Sequence, residues 1–173
     1  MHNPSWVEEF VRNHHSSHMD LAVGLAAENV KQRTGGPFGA VLVNEKEEIL
    51  SVGVNIVVQD RNPIAHAEIV AIVRGAHRLQ QYDLSQCVLY ASGEPCAMCA
   101  GAIHWAGIRS LHLAALSEDI ETIAGFHEGP RLKNWREWFV EQGGTVVHDR
   151  QCEQRAKQVL ATYRDLGEVI YNS

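Results

Sequence analysis

Residues 62–72, "NPIAHAEIVAI", form an apolar segment that carries His66 and Glu68 two positions apart. A carboxylate is almost never fully buried without a partner. Buried alone, it costs so much that it becomes neutral instead. The segment is therefore either exposed against its pattern, or folded so that both polar residues face a group that needs them. Positions i and i+2 of a helix point about 200° apart, so one lateral face cannot use both. A helix mouth can. Side chains tilt back toward the N-terminus, and both residues fall in the first turn or two of a helix expected from about Pro63 to Leu79.

A second motif, "PCAMC", places its first cysteine, Cys96, 30 residues after His66 and reads as the start of another helix, opening at Pro95. Proline is favoured at the first helical position. Cys96 and Cys99, three apart, share one face there. His66, Cys96 and Cys99 make a donor set suited to zinc. Three protein ligands leave a fourth position for water, the arrangement of catalytic rather than structural sites. Zinc then brings water near neutrality in pKa, and Glu68 is the carboxylate that takes and passes on its proton. Helix N-termini favour the thiolates through their partial positive charge.

The rest of the chain alternates strands and helices. "SHMDLAVGLAAENVKQ" (17–32) reads as an amphipathic helix. "FGAVLVNEKEEILSVGVNIVV" reads as two strands in a hairpin, turned around Asn44 to Glu48. "CVLYAS", "RSLHLAAL" and "GTVVH" read as strands, "EDIETIAG" as a short helical stretch, and "FHEGPRLKN" as a loop. Helices follow near Trp135–Gln142 and from about Cys152 to Leu166. The pattern predicts an α/β layered domain with a mixed sheet. With 173 residues and no linker or repeat, residues 1–173 are expected to form one domain.

Net charge is −6 with His neutral, which argues against a dominant phosphate-binding surface. No apolar run approaches a membrane span, and "MHNPSWVEEF" lacks the pattern of a signal peptide. The expectation is a soluble, cytoplasmic protein, where a C-x-x-C pair points to metal or redox chemistry rather than a structural disulfide.

H-x-E followed by P-C-x-x-C is a signature of zinc nucleobase deaminases. With "HAEIVAI", "ASGEPCAMCAGAIHWAGI" and "IAGFHEGPRLKNW", the chain resembles the cytidine deaminase-like superfamily and, more narrowly, the bacterial guanine deaminases. That resemblance implies a three-layer α-β-α sandwich around a mixed, about five-stranded sheet. It implies a homodimer, one zinc ion per chain, and hydrolysis of guanine to xanthine and ammonia, with aminotriazines such as ammeline as side substrates. It also implies substrate contacts from Asn55, Ala67, Phe38 and Phe126, and a second proton carrier at Glu128. The family fingerprint allows Asp where this chain has His127, which leaves Glu128 as the match.

Alternatives remain open. The tRNA adenosine deaminases share both zinc motifs, although they usually carry a more basic tail. A structural zinc module would need a fourth ligand such as Cys87, Cys152 or His104, and a thiol-disulfide module would leave His66 and Glu68 unexplained. Cys87 reads as core, and Cys152 as the start of the last helix without a visible partner. His14, His15 and His18 read as a solvated helix start, Trp135 and Trp138 as packing residues. "GGPFG" is either a backbone cradle for a ligand or a plain turn.

Overall fold

The computed structural model describes residues 1–171 apart from 15, 128 and 130–133. Helices α1 (Trp6–Arg12) and α2 (His18–Lys31) precede the hairpin of β1 (Gly39–Val43) and β2 (Ile49–Val54). Next come α3 (Ala67–Leu79), β3 (Val88–Gly93), α4 (Ala97–Trp105) and β4 (Ser110–Ala115). The short α5 (Ser117–Asp119) runs into a π-helical turn at Ile120–Ala124, followed by α6 (Trp135–Glu141), β5 (Thr145–His148) and α7 (Arg150–Asp165). The strands form one sheet in the order β2-β1-β3-β4-β5. β1 is antiparallel to β2 and β3, and β3, β4 and β5 run parallel. This is the mixed five-stranded sheet expected from the sequence.

Two glycines let helices lie against the sheet. A Cβ at Gly39 would strike the Ala22 carbonyl of α2, and one at Gly53 the Ala67 carbonyl of α3. Gly53 pairs with Ala40, the neighbour of Gly39. Adjacent positions of a strand point to opposite faces, so α2 and α3 cover opposite sides and the layers are α-β-α. β1, an interior strand between β2 and β3, is buried at every residue, whereas the edge strand β5 alternates exposed and half-buried.

Local chemistry sets the boundaries. Ser17 caps α2 by accepting from the Asp20 amide, and Asp149 caps α7 by accepting from Gln151 and Cys152. The hairpin turns where Asn44 Oδ1 accepts from the Lys46 and Glu48 amides, each at 2.9 Å. Cys152 lies inside the first turn of α7, and its thiol does have a partner: Sγ is 3.7 Å from Asp20 Oδ1. α1 was not expected from the sequence; it is short, and only Val7 is buried along it. Among the described residues, no helix is long and apolar enough to cross a membrane.

Candidate active site

Both motif helices start later than their prolines suggest. α3 begins at Ala67, not Pro63, and α4 at Ala97, not Pro95. His66 and Cys96 are the two N-cap residues, with extended backbones (ψ 155° and 172°). Their carbonyls nevertheless accept the first helical bonds, from Val70 and Ala100. An N-cap side chain turns toward the mouth of its own helix, and this brings the two motifs together. Glu68 is the second residue of α3 and Cys99 the third of α4.

The ligand atoms of His66, Cys96 and Cys99 all lie within 4.8 Å of one another. Cys96 Sγ is 3.6 Å from His66 Nδ1. Hydrogen bonding to Cys99, and then to His66, outweighs burial and pulls the Cys96 thiol down to about 4. At neutral pH it is a thiolate. Burial pushes the Glu68 carboxyl upward, and the Cys96 thiolate adds to that. Cys99 is fully buried, and His66 and Glu68 are 5% and 7% exposed.

One nitrogen and two sulfur donors, one already ionised, fit zinc. Among the described residues the cluster has three members. Cys87, Cys152 and His104 are not in it, so the fourth ligand that a structural zinc module needs is not supplied by them. His14 and His18 of the "HHSSH" segment also lie outside it, but they are half-buried rather than solvated, with ring contacts to Phe10 and Tyr90; His15 falls outside the described residues.

Asn55 sits at the end of β2 and is fully buried. Its amide nitrogen donates to Phe38 O and its carbonyl accepts from Asn29 Nδ2. Its side-chain Oδ1 accepts from the Val57 amide at 3.3 Å. Its Nδ2 is buried with no hydrogen-bond partner among the described residues. The adjoining glycines are a close backbone approach rather than a plain turn. A Cβ at Gly36 would lie 3.1 Å from Asn55 Oδ1 and 2.6 Å from the Tyr171 hydroxyl.

Tyr171 links the parts of the site. Its ring centroid is 6.1 Å from that of His66 and 4.9 Å from that of Phe126. Phe126 meets Phe38 edge-on at 5.4 Å and stacks on Tyr163 at 5.7 Å. The tail that brings Tyr171 here is tied down by Tyr163, whose hydroxyl donates to Val169 O at 2.6 Å. Ala67, the first residue of α3, is buried between His66 and Glu68. Glu128 lies outside the described residues.

Glu94 was missed in the sequence because an acid before "PC" has no distinctive spacing. It is 7% exposed. Its carboxylate accepts from the Ser117 amide at 2.8 Å, Trp135 Nε1 at 2.9 Å, and Arg136 Nε and Nη2 at 3.1 and 2.5 Å. Trp135 is thus more than packing: with Arg136 it ties α6 to the turn that carries Cys96. Burial raises the Glu94 carboxyl, but the Arg136, Ser117 and Trp135 hydrogen bonds outweigh this and lower it overall. The folded protein keeps Glu94 ionised where the unfolded chain would protonate it. Its stabilisation is therefore complete above the ordinary glutamate value of about 4.5 and is lost as pH falls through the lower folded value. Glu94→Gln should cost about 2 kcal/mol at neutral pH. The gap in Tm between wild type and variant should narrow on acidification below that range. A gap independent of pH would show that the charge on Glu94 is not what α6 is held by.

Two converging helix mouths, three zinc-type donors and a buried carboxylate beside them define the centre of a metal-dependent hydrolase. The chain belongs to the family of cytidine and deoxycytidylate deaminases, whose zinc-binding region matches residues 12–115. It is similar to the guanine deaminase of Bacillus subtilis, with 43% identity over 114 residues, 66% of this chain and 72% of that one. It is also similar to the tRNA-specific adenosine deaminase of Haemophilus influenzae, 44% identical over 79 residues, 46% of each chain. Among solved structures, guanine deaminase from Nitrosomonas europaea superimposes with a TM-score of 0.85 at 34% identity, covering 95% of this chain and 94% of that one.

Proposed function

We propose that the whole chain, as one domain, hydrolyses guanine to xanthine and ammonia, with aminotriazines such as ammeline as side substrates. The observation that carries this reading is the buried, unpartnered Nδ2 of Asn55. A buried donor without an acceptor costs about 1–3 kcal/mol, and a purine edge would supply the acceptor. Asn55 and the zinc donors are joined through Gly36 and Tyr171, so a bound base would lie between them. The likeness to two guanine deaminases, one across nearly the full length of both chains, supports purine over pyrimidine.

His66, Cys96 and Cys99 would hold the zinc ion, which supplies an activated water at neutral pH. Glu68 takes the proton released as water adds to C2 and delivers it to the adjacent ring nitrogen. Asn55 fixes the purine edge, and Ala67 contributes backbone. Phe38 and Phe126, in edge-on contact with each other at 5.4 Å, form one wall of the site rather than its two faces. Glu128 carries the remaining proton of the added water to the departing amine as the C2–N bond breaks and the C2 carbonyl forms, so that one water is consumed and one ammonia leaves. We further read the enzyme as a cytoplasmic homodimer of purine breakdown. The outward Trp105 on α4 and Tyr82, 85% and 89% exposed, are apolar surface suited to a second copy. Light scattering of a clean 19.2 kDa monomer would contradict that.

The test is ammonia release from guanine, ammeline, adenine, cytosine, guanosine and a tRNA substrate. Guanine should be turned over fastest; preference for the tRNA would replace this reading with RNA deamination. Asn55→Ala should raise KM for guanine about 10- to 100-fold, because the site loses a paired buried donor. An unchanged KM would remove Asn55 from the contact set. Glu128→Gln should cut turnover while zinc content and Tm stay near normal, and should delete one limb of the pH–rate profile.

A further inference from the structure

A cavity lies away from the zinc donors. It encloses about 710 Å³ between α1, the outer edge of β2 and the second half of α3, and none of the residues assigned to the active site lines it. That volume is within the range of small-molecule sites. Its rim carries three guanidinium groups, from Arg12, Arg74 and Arg78, against one carboxylate, Glu8.

The charge is unbalanced in a chain whose net charge is −6. Elsewhere Arg33, Arg136, Arg155 and Arg164 each pair with an acid. Among the described residues, no ion pair is formed by Arg12, Arg74 or Arg78. Arg74 and Arg78 are four apart on α3, where like charges repel. Arg74 Nε is also buried without a hydrogen-bond partner. Between these groups the wall is apolar, built from Val11, Val52 and Val73.

The edge of β2 is not free to pair with a peptide. Asn3 Nδ2 donates to Val52 O at 2.8 Å, Asn3 Oδ1 accepts from the Val54 amide at 3.3 Å, and Arg78 Nη1 donates to Leu50 O at 3.1 Å. Strand addition is therefore blocked, and the cavity is too small for a nucleic acid duplex. We propose that this cavity binds a small organic anion: an apolar body against the valines, and a sulfonate, phosphate or carboxylate head held by Arg74, Arg78 and Arg12. Guanidinium groups suit such heads because they offer paired donors and a permanent charge.

The probe is 1-anilinonaphthalene-8-sulfonate, titrated by fluorescence into the zinc-loaded protein. Saturable binding at one site per chain is expected, with at least tenfold weaker binding of its neutral analogue N-phenyl-1-naphthylamine. Arg74→Gln/Arg78→Gln should weaken the sulfonate about tenfold or more. Arg12→Gln, on a separate helix, should weaken it independently and keeps the test usable if the double variant folds poorly. Saturating guanine should not displace the probe. Equal binding of the neutral analogue, unchanged affinity in the folded variants, or displacement by guanine would each overturn the proposal.

Discussion

Glu68→Gln is expected to keep one zinc ion per chain, a normal Tm and the oligomeric state of the wild type, and to lose turnover by about 10²–10⁴-fold. The expectation rests on where the carboxylate is held. Glu68 is 7% exposed in the first turn of a helix whose neighbouring residues are all core. Its surroundings push its pKa up, first through burial and then through the Cys96 thiolate. A group held so unfavourably is not there for stability. Gln matches its shape, keeps a donor and an acceptor, and cannot move a proton. Stability should therefore be unchanged or slightly raised, since a buried charge has been removed. Metal analysis and turnover must be read together: intact zinc with lost turnover assigns proton transfer, whereas lost zinc with lost turnover would make Glu68 part of the metal site. Near-normal turnover would remove it from the chemistry.

The zinc site was legible in the sequence because it is local twice over. His66 and Glu68 belong to one helix start, Cys96 and Cys99 to another, and each pair's spacing carries its meaning before the fold is known. The sequence misjudged only where the helices begin. Pro63 and Pro95 look like first helical residues, yet the ligands themselves are the caps. Prolines three and one residues before the cap mark the approach to the helix instead. The sheet was legible for a similar reason, since each strand is a short run of apolar residues bounded by turns.

What escaped is what depends on distant segments meeting. Tyr171 lies in the tail "VIYNS", whose sequence fits either a surface-packed terminus or a segment that closes a pocket, and only the fold sets its ring beside His66 and Phe126. Glu94 is 41 and 42 residues from the tryptophan and arginine that neutralise and bind it. Nothing in the spacing of either partner announces the bond. Asn55 could be named from family resemblance, but the feature that argues for a ligand, a buried Nδ2 left unpartnered, exists only once Asn29, Phe38 and Val57 have occupied its other groups.

Cys99→Ala is the second large expected effect, and it tests the metal directly. Cys99 is fully buried, and its sulfur is one of three donors lying within 4.8 Å of one another. Removing it leaves one imidazole and one thiolate, too few to hold zinc against dilution. It also withdraws the hydrogen bond that does most to keep Cys96 ionised, so the remaining sulfur ligand is weakened as well. Metal analysis after gel filtration should show zinc well below one per chain, and guanine turnover should vanish with it. Stability should fall too, because a ligand that binds only the folded state stabilises it by an amount that grows with occupancy. The wild-type protein stripped by a chelator should show a similar drop in Tm, and added zinc should restore it there but not in Cys99→Ala. That contrast separates loss of the ion from the cost of the cavity left by the missing sulfur, which zinc cannot repair. Full zinc occupancy in Cys99→Ala would mean that another residue completes the site, and the three-donor centre with its open fourth position would have to be abandoned.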